Sequence, residues 1–247
     1  MIRSEESDGT LTIRLDRPEK RNALTPGMIE ALRDRLLEAA RDPEVCAVVI
    51  AGSGPSTCAG VDLGVFAAGT PASIRGLIDR LAEACAAARA CPKPVAMAIH
   101  GHCFGGGLEL ACACDFRLAA PGALLGMPEL ALGIPSVIDA ALIERHVGLS
   151  RAQSLILTAD PITAERAVEW GLVHALAPAN GLEAACRDLL ARVTRHDSAA
   201  VGRQKRLFAE WQNLPLDEAI ERSKDALAAS FAGGVPQRLA QERLQKR

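Results

Sequence analysis

Three consecutive glycines between two apolar segments constrain the fold of this chain more than any other feature. Gly105–Gly107 follow Pro94–Ile99, a run typical of a buried strand, and precede Leu110–Ala113, which is typical of a buried helix. Glycine lets a ligand approach the backbone, and the first N–H groups of a helix have no partner inside it. The unit therefore indicates either an anion site, with Glu109 about one turn into the helix, or tight strand–helix packing with an ordinary first-turn acid.

The glycine spacing excludes two common phosphate-binding motifs. Leu110 occupies the position of the third glycine in the dinucleotide fingerprint G-x-G-x-x-G. No Lys-Ser/Thr pair follows the glycines, as a P-loop requires.

Composition restricts the class of protein. The 247 residues, 49% of them hydrophobic, suit one large domain or a core with a smaller appendage. A net charge of −2, with no Tyr and only 2 Trp, argues against nucleic-acid binding. No apolar run approaches the ~20 residues of a membrane span, and the acidic N-terminal segment is unlike a signal peptide. We therefore expect no membrane partner.

The eight cysteines indicate a reduced compartment. Most lie in Ala- or Val-rich segments, which is typical of buried free thiols. Cys112-Ala113-Cys114 and His100-Gly101-His102-Cys103 do not have the ligand spacing of zinc sites. We expect a cytoplasmic protein without a bound metal.

The pattern of elements predicts an α/β fold. Asp8-Gly9 indicates a turn before a half-buried strand with Leu11, Ile13 and Leu15 on one face. Strands and helices then alternate, as in a parallel sheet. We expect further elements as follows: a helix opened by Thr25-Pro26 with Met28, Ile29, Leu32, Leu36 and Leu37 on its apolar face, strands at 45–50, 116–119 and 123–125, and a helix at 73–90.

The pattern becomes mostly helical after about residue 136. Helices are predicted near 136–147, 150–158, 163–170, 180–195, 198–212 and 215–231, with a short strand at Leu172–Ala175. Leu216, Ala219, Ile220, Leu227 and Phe231 recur at helical spacing, so these helices must bury an apolar face on the core or on a partner subunit.

Three loops at predicted strand ends carry the candidate chemistry. They are Cys58–Leu63, Gly105–Glu109 and Gly126–Leu130. Ligands of α/β sheets bind at the ends of strands, so we expect these loops to form one site.

These loops resemble those of the enoyl-coenzyme A (enoyl-CoA) hydratase/isomerase superfamily, the crotonases. The resemblance extends, in order, through Arg17-Pro18 with Asn22–Leu24, Pro92–Ala96 with Gly101, Leu155–Thr158 and Ala167–Val173. Each segment alone is a weak signal, whereas the ordered set covers nearly the whole chain and is specific. The resemblance implies a fold of stacked β-β-α turns at 1–190, followed by a helical, oligomerising region at 191–247. It further implies homotrimers or homohexamers.

The resemblance also implies an acyl-CoA substrate and no cofactor, because coenzyme A is carried by the substrate. The backbone N–H groups of Val61 and Gly106 would form an oxyanion hole for the thioester carbonyl. Glu109 would activate water and Glu129 would donate a proton to C2, with the roles exchanged in the reverse reaction. On the residues alone, both acids are equally consistent with ordinary helix-start or loop carboxylates.

Five further residues are implied in substrate binding: Arg21, Ala23, Ala59, Asp62 and Leu63. Arg21 would pair with a phosphate, or is a solvated arginine. Asp62 lies in the nucleotide-side loop, or is purely structural.

One segment departs from the superfamily. Many relatives are glycine-rich after Gly133-Ile134-Pro135, where this chain has Ser136-Val137-Ile138-Asp139. We interpret Ser136 and Asp139 as a capping box, in preference to Asp139 as a third catalytic acid.

The paired acids favour hydration of a 2-enoyl-CoA. Isomerisation, decarboxylation or thioester hydrolysis are the alternatives within the superfamily, since all use the same oxyanion hole. A non-catalytic acyl-CoA binder is the alternative outside enzymes.

Overall fold

The computed structural model describes residues 1–245, so Lys246 and Arg247, at the end of the predicted helical region, lie outside the described residues. The strands are β1 (Ile2–Ser7), β2 (Thr10–Leu15), β3 (Ala47–Gly52), β4 (Val95–Ile99), β5 (His102–Phe104), β6 (Phe116–Ala119), β7 (Leu124–Gly126), β8 (Ile162–Thr163) and β9 (Ala175–Leu176). The helices are α1 (Pro26–Arg41), α2 (Leu63–Ala67), α3 (Pro71–Ala90), α4 (Gly106–Ala113), α5 (Ala141–Val147), α6 (Leu149–Thr158), α7 (Ala164–Trp170), α8 (Leu182–Thr194), α9 (Ser198–Asn213), α10 (Leu216–Ser230) and α11 (Val235–Gln245). Short 3-10 helices lie at Pro18–Lys20, Pro128–Leu132, Ile138–Ala140, Ala179–Gly181 and Phe231–Gly233.

The larger sheet has the strand order β1-β2-β3-β4-β6-β9. Only the β1–β2 pair is antiparallel. The hairpin turns at Asp8 and Gly9, both with positive φ, which confirms the predicted turn. β1 was not predicted, because this edge strand is almost wholly exposed and lacks an apolar alternation.

The smaller sheet, β5-β7-β8, explains the stacked arrangement. β5 pairs parallel with β7, and β7 pairs antiparallel with β8. Along the chain, β4 in the larger sheet is followed by β5 in the smaller sheet and then by α4. β6 and β7 repeat this alternation. The predicted α/β fold of stacked β-β-α turns is therefore confirmed, although three-residue β5 is too short for a periodicity to reveal it.

The helix caps follow from local sequence. The Thr25 side chain accepts a hydrogen bond from the Met28 N–H, and Pro26 occupies the first helical position, as predicted for α1.

Leu37 was wrongly placed on the buried face, since it is 38% exposed. The predicted strand at Leu172–Ala175 is also wrong in extent, because β9 comprises Ala175–Leu176.

The chain divides into two compact units, one of residues Met1–Arg195 and one that begins at His196. The boundary predicted between 190 and 191 falls inside α8. The second unit consists of α9, α10 and α11, of which α11 was not predicted. Among its described residues only Ala219 is buried, whereas eight large apolar side chains are exposed: Phe208, Trp211, Leu216, Ile220, Leu227, Phe231, Leu239 and Leu244.

Across residues 1–245, no helix combines the length and the apolar character that a membrane crossing needs.

Candidate active site

Backbone hydrogen bonds join the three candidate loops. The Phe104 N–H donates to the Cys58 carbonyl oxygen (2.9 Å), which ties the first loop to the strand before the glycines. The Gly105 N–H donates to the Gly126 carbonyl oxygen (3.0 Å), which ties the glycines to the third loop. The sequence prediction that these loops meet is confirmed.

The loops enclose one side of a cavity of about 680 Å³. Val61, Gly106, Glu109 and Glu129 all line it. Each comes from a different part of the site: Val61 from the first loop, Gly106 and Glu109 from the start of α4, and Glu129 from the 3-10 helix Pro128–Leu132. The four residues predicted for the reaction centre thus share one cavity.

The glycine run is required by close contacts. Gly105 has φ +49°, and a Cβ there would lie 2.5 Å from Oε1 of Glu129. A Cβ on Gly106 would lie 2.8 Å from Cδ2 of Leu81, and one on Gly107 would lie 2.7 Å from Cβ of Cys58. The first two glycines therefore make room at the cavity, while the third serves helix packing.

Two backbone N–H groups lie at the wall of this cavity outside the regular hydrogen-bond pattern. Gly106 is the first residue of α4, so its N–H has no acceptor within the helix. Val61 forms a parallel bridge with Leu24, but the bridge uses the Gly60 carbonyl and the Asp62 N–H. Both Val61 and Gly106 can thus present a donor to a ligand oxygen.

Glu109 is the more deeply buried of the two acids, with 4% exposure. Burial, together with the nearby Glu129 carboxylate, raises the pKa of Glu109 to about 8, although backbone hydrogen bonds from Val137 and Ala140 oppose this. The Glu109 carboxyl therefore holds a proton at neutral pH.

Glu129 is half-buried, and burial raises its pKa as well. Ser136 opposes this shift, because its Oγ donates to Oε2 of Glu129 at 3.2 Å. The predicted capping box is therefore wrong: no side chain caps the 3-10 helix Ile138–Ala140. Asp139 is instead buried in an ion pair with Arg89 of α3.

The rest of the first cavity is apolar. α2 and α3 contribute one wall, and residues 132–137 contribute the other. The apolar lining residues are Leu63, Phe66, Ala67, Ile74, Ile78, Leu81, Leu132, Ile134, Pro135 and Val137. The segment between Gly64 and Pro71 thus lines only part of this cavity, and α3 supplies three of its apolar side chains.

A second cavity of about 420 Å³ adjoins the first. The two share Val61, Glu129 and several apolar side chains. Lys20, Ala23 and Asp62 line the second cavity alone, which makes it the more polar of the two.

Comparison with known proteins assigns the family. The enoyl-CoA hydratase/isomerase family profile matches residues 5–234. The chain belongs to the enoyl-CoA hydratase/isomerase family. Its relatives include a "probable enoyl-CoA hydratase" of Mycobacterium leprae, which is 34% identical over 94% of this chain and 95% of that protein. A crotonyl-CoA hydratase of Syntrophomonas wolfei is 32% identical over 92% of this chain and 88% of that protein.

Solved structures agree with this family assignment. The crystal structure of an enoyl-CoA hydratase from Polaromonas sp. JS666 superimposes with a TM-score of 0.94 at 28% identity. The superposition covers 100% of this chain and 97% of that one. The crotonase-like fold expected from the ordered motifs is thereby confirmed.

Four of the five predicted binding residues line the two cavities, and Arg21 does not. Ala23, Ala59 and Asp62 line the second cavity, and Leu63 lines both cavities. Arg21 is exposed and lines neither of them; its backbone carbonyl accepts from the Ala59 N–H (2.9 Å).

Asp62 has structural contacts of its own. Its carboxylate accepts from Arg17 (2.5 Å) and from the Gly64 N–H (2.8 Å), so it caps α2 and holds the first loop. The hydrogen bond from Arg17, with further bonds at Gly64, lowers the pKa of Asp62. Both interpretations of Asp62 are compatible with its place at the second cavity.

Sequence reasoning missed Lys20 and the role of Ser136. Lys20 has no distinguishing sequence signal, because it lies in a polar segment beside Arg21, the residue that the superfamily resemblance implies. The Ser136–Glu129 hydrogen bond depends on the packing of two loops and has no local sequence signal.

The cysteines beside the site are unsuited to nucleophilic catalysis. Burial raises the pKa of the Cys58 thiol to about 12 and that of Cys103 well above its usual value. A neutral thiol is a poor nucleophile, so neither cysteine is suited to attack a thioester.

Proposed function

We propose that this chain is an enoyl-CoA hydratase that adds water across the 2,3 double bond of a 2-enoyl-CoA thioester. One observation carries the proposal: Glu109 and Glu129 line the same cavity as the free backbone donors at Val61 and Gly106. The names of the hydratases among its relatives support the same reaction.

The oxyanion hole in this proposal consists of the Val61 and Gly106 N–H groups. Water attack at C3 places negative charge on the thioester oxygen as an enolate forms. Fixed backbone donors stabilise that charge without reorganising, and loss of one donor costs about 3–4 kcal/mol in a comparable acyl-transfer site. Gly106 supports this role because it leaves the helix start open to the cavity.

Glu109 and Glu129 then divide the acid–base work. In hydration, Glu109 takes a proton from water as the oxygen bonds to C3, and Glu129 gives a proton to C2 of the enolate. In dehydration, Glu129 takes the C2 proton while Glu109 protonates the departing hydroxyl. The raised pKa of Glu109 supports a single proton shared by the pair near pH 7, with the unliganded enzyme in the form that starts dehydration.

The second cavity is proposed to receive coenzyme A. Lys20 provides a cation at its wall, which suits a phosphate, and Ala23 and Ala59 provide backbone contacts. The larger apolar cavity then receives the acyl chain. The substrate brings coenzyme A with it, so the proposed reaction needs no resident cofactor, and full activity should persist after extensive dialysis against a chelator.

The oligomer is proposed to be a homotrimer or homohexamer. The exposed apolar side chains of α9 and α10 support it, because apolar surfaces of this kind favour association. Light scattering of the purified protein should give three or six times the chain mass of 26.0 kDa, and a monomer would contradict the proposal. A cytoplasmic location is proposed from the buried free thiols and is testable by cell fractionation.

The direct test of the reaction uses a short 2-enoyl-CoA. Hydration removes the conjugated absorbance of the thioester, and we expect this with purified protein alone. Binding without any absorbance change, across a panel of chain lengths, would favour a non-catalytic acyl-CoA binder instead.

A further inference from the structure

One segment outside the proposed catalytic residues contacts both members of the acid pair. The Ser136 hydroxyl donates to Glu129 Oε2 at 3.2 Å. The backbone at Val137 and Ala140 forms hydrogen bonds to Glu109. Ser136 and Ala140 are only four positions apart in the sequence, so a single turn of chain sets the surroundings of both carboxyls.

This segment is held firmly. Asp139 is 6% exposed and pairs with Arg89, which anchors the segment to α3. Ile138 has φ +41°, a conformation that β-branched residues rarely adopt. Such a backbone persists only where its surroundings impose it, and it is frequent near functional sites. The hydroxyl of Ser136 is therefore carried by a fixed backbone rather than by a mobile loop.

We propose that Ser136 is a positioning residue that fixes the Glu129 carboxylate and favours its charged form, so that the single proton of the pair rests on Glu109. This inference rests on the proposed function for its catalytic consequence. Ser136 lines neither of the two substrate cavities, so it acts through Glu129 and not through contact with the substrate.

The charged groups near Glu129 do not replace the hydrogen bond from Ser136 in stabilising the Glu129 carboxylate. Glu109 faces it from α4 and disfavours a second charge in the same cavity. Lys20 and Asp62 line the second cavity with Glu129. On α6, which packs against the 3-10 helix of Glu129, Arg151 is engaged with Trp170. Because a hydrogen bond to a carboxylate stabilises the charged form, Ser136 opposes the effect of burial on Glu129.

The test measures the titration of the Glu129 side chain by ¹³C NMR in the full-length, unliganded protein. Ser136→Ala should raise the midpoint of Glu129 by about one unit, the shift expected for loss of one hydrogen bond to a charged group. Ser136→Thr keeps the hydroxyl and should restore the midpoint. Ser7→Ala removes a comparable serine–carboxylate hydrogen bond, to Asp8 at 3.3 Å on the surface, and should leave Glu129 unchanged.

Kinetics provide the second readout. In the dehydration direction, where Glu129 is the base, Ser136→Ala should move the acidic limb of the pH profile of kcat/KM up by about one unit, and kcat should fall about tenfold while KM stays within twofold. Ser136→Ala should add no further loss in a Glu129→Gln background, whereas a merely structural serine would add its own.

Two results would overturn the proposal: an unchanged Glu129 titration in Ser136→Ala, or additive losses in the double variant. A shifted titration in a protein that turns over no enoyl-CoA would instead overturn the proposed function, and would leave the coupling of Ser136 to Glu129 standing.

Discussion

A Cβ on Gly105 would lie 2.5 Å from Oε1 of Glu129, so the backbone of the glycine run and the carboxylate of the third loop occupy adjoining space. Gly105 also has φ +49°, where any side chain is strained. Glu129 can therefore occupy its position only because residue 105 is a glycine.

Gly105→Ala should lower kcat at least tenfold by displacing the Glu129 carboxylate, with a smaller loss of thermal stability from the strained backbone. Gly27→Ala is the matched control, because a Cβ at Gly27 meets nothing within 4 Å. Steady-state kinetics and thermal unfolding of both variants check this. Normal turnover by Gly105→Ala would contradict the claim that Glu129 must hold its position beside Gly105 for catalysis.

Glu109→Gln and Glu129→Gln should each lower kcat by roughly 10²–10⁴-fold, the usual contribution of a positioned acid or base. Acyl-CoA binding should persist, because the apolar walls and the backbone donors remain. Glu144→Gln changes an exposed acid outside both substrate cavities and should leave kcat unchanged. Steady-state kinetics with a calorimetric Kd would measure both effects, and full turnover in either site variant would refute the acid–base assignment.

Glu109 should make folding stability depend on pH. Its pKa rises from 4.5 to about 8 on folding, so between these values the folded protein holds a proton that the unfolded chain releases. The contribution of this bound proton to the free energy of unfolding is fully present below pH 4.5 and is lost as pH rises through 8. Glu109→Gln should therefore match the wild type at pH 4.5 and exceed it by a few kcal/mol at pH 9 in urea unfolding. An equal stability of the two proteins at pH 9 would contradict the buried, proton-holding carboxyl.

Lys20 and Arg21 offer a contrast between neighbours of equal charge. Lys20 lines the second cavity, whereas Arg21 lines neither cavity. If coenzyme A occupies the second cavity, Lys20→Gln should raise KM several-fold at unchanged kcat, and Arg21→Gln should have little effect. The reverse result would favour the assignment of Arg21 to the phosphate that the superfamily resemblance implies.

Ile78 of α3 should help to set acyl chain length, because it lines the apolar part of the first cavity. Ile78→Phe should lower kcat/KM for a ten-carbon enoyl-CoA about tenfold and leave the four-carbon substrate nearly unaffected. The short substrate serves as the internal control in a competition assay. Equal losses for both chain lengths would place Ile78 outside the acyl path.

The sequence predicted elements well where periodicity and local chemistry coincide. The Thr25-Pro26 start of α1, the Asp8-Gly9 turn and the start of a helix after Gly105 were all recognisable from neighbours along the chain. β1 and β5 were missed because an exposed edge strand and a three-residue strand carry no apolar pattern.

Only those parts of the candidate site that are marked by local motifs were predictable from the sequence. Ordered motifs identified the loops of Val61, Glu109 and Glu129, which the structure brings to one cavity. Ser136 was misassigned because a capping box and a loop-to-loop hydrogen bond look alike in sequence. Contacts between segments that are distant along the chain cannot be predicted from local sequence, because they depend on how the backbone folds.

The central claim is tested most directly by the fate of oxygen from solvent. Incubation with a four-carbon 2-enoyl-CoA in ¹⁸O water, followed by mass spectrometry of the product, should give 3-hydroxyacyl-CoA with one label at C3. A product with a shifted double bond and no label, or label in a free carboxylate after thioester cleavage, would contradict hydration by Glu109 and Glu129.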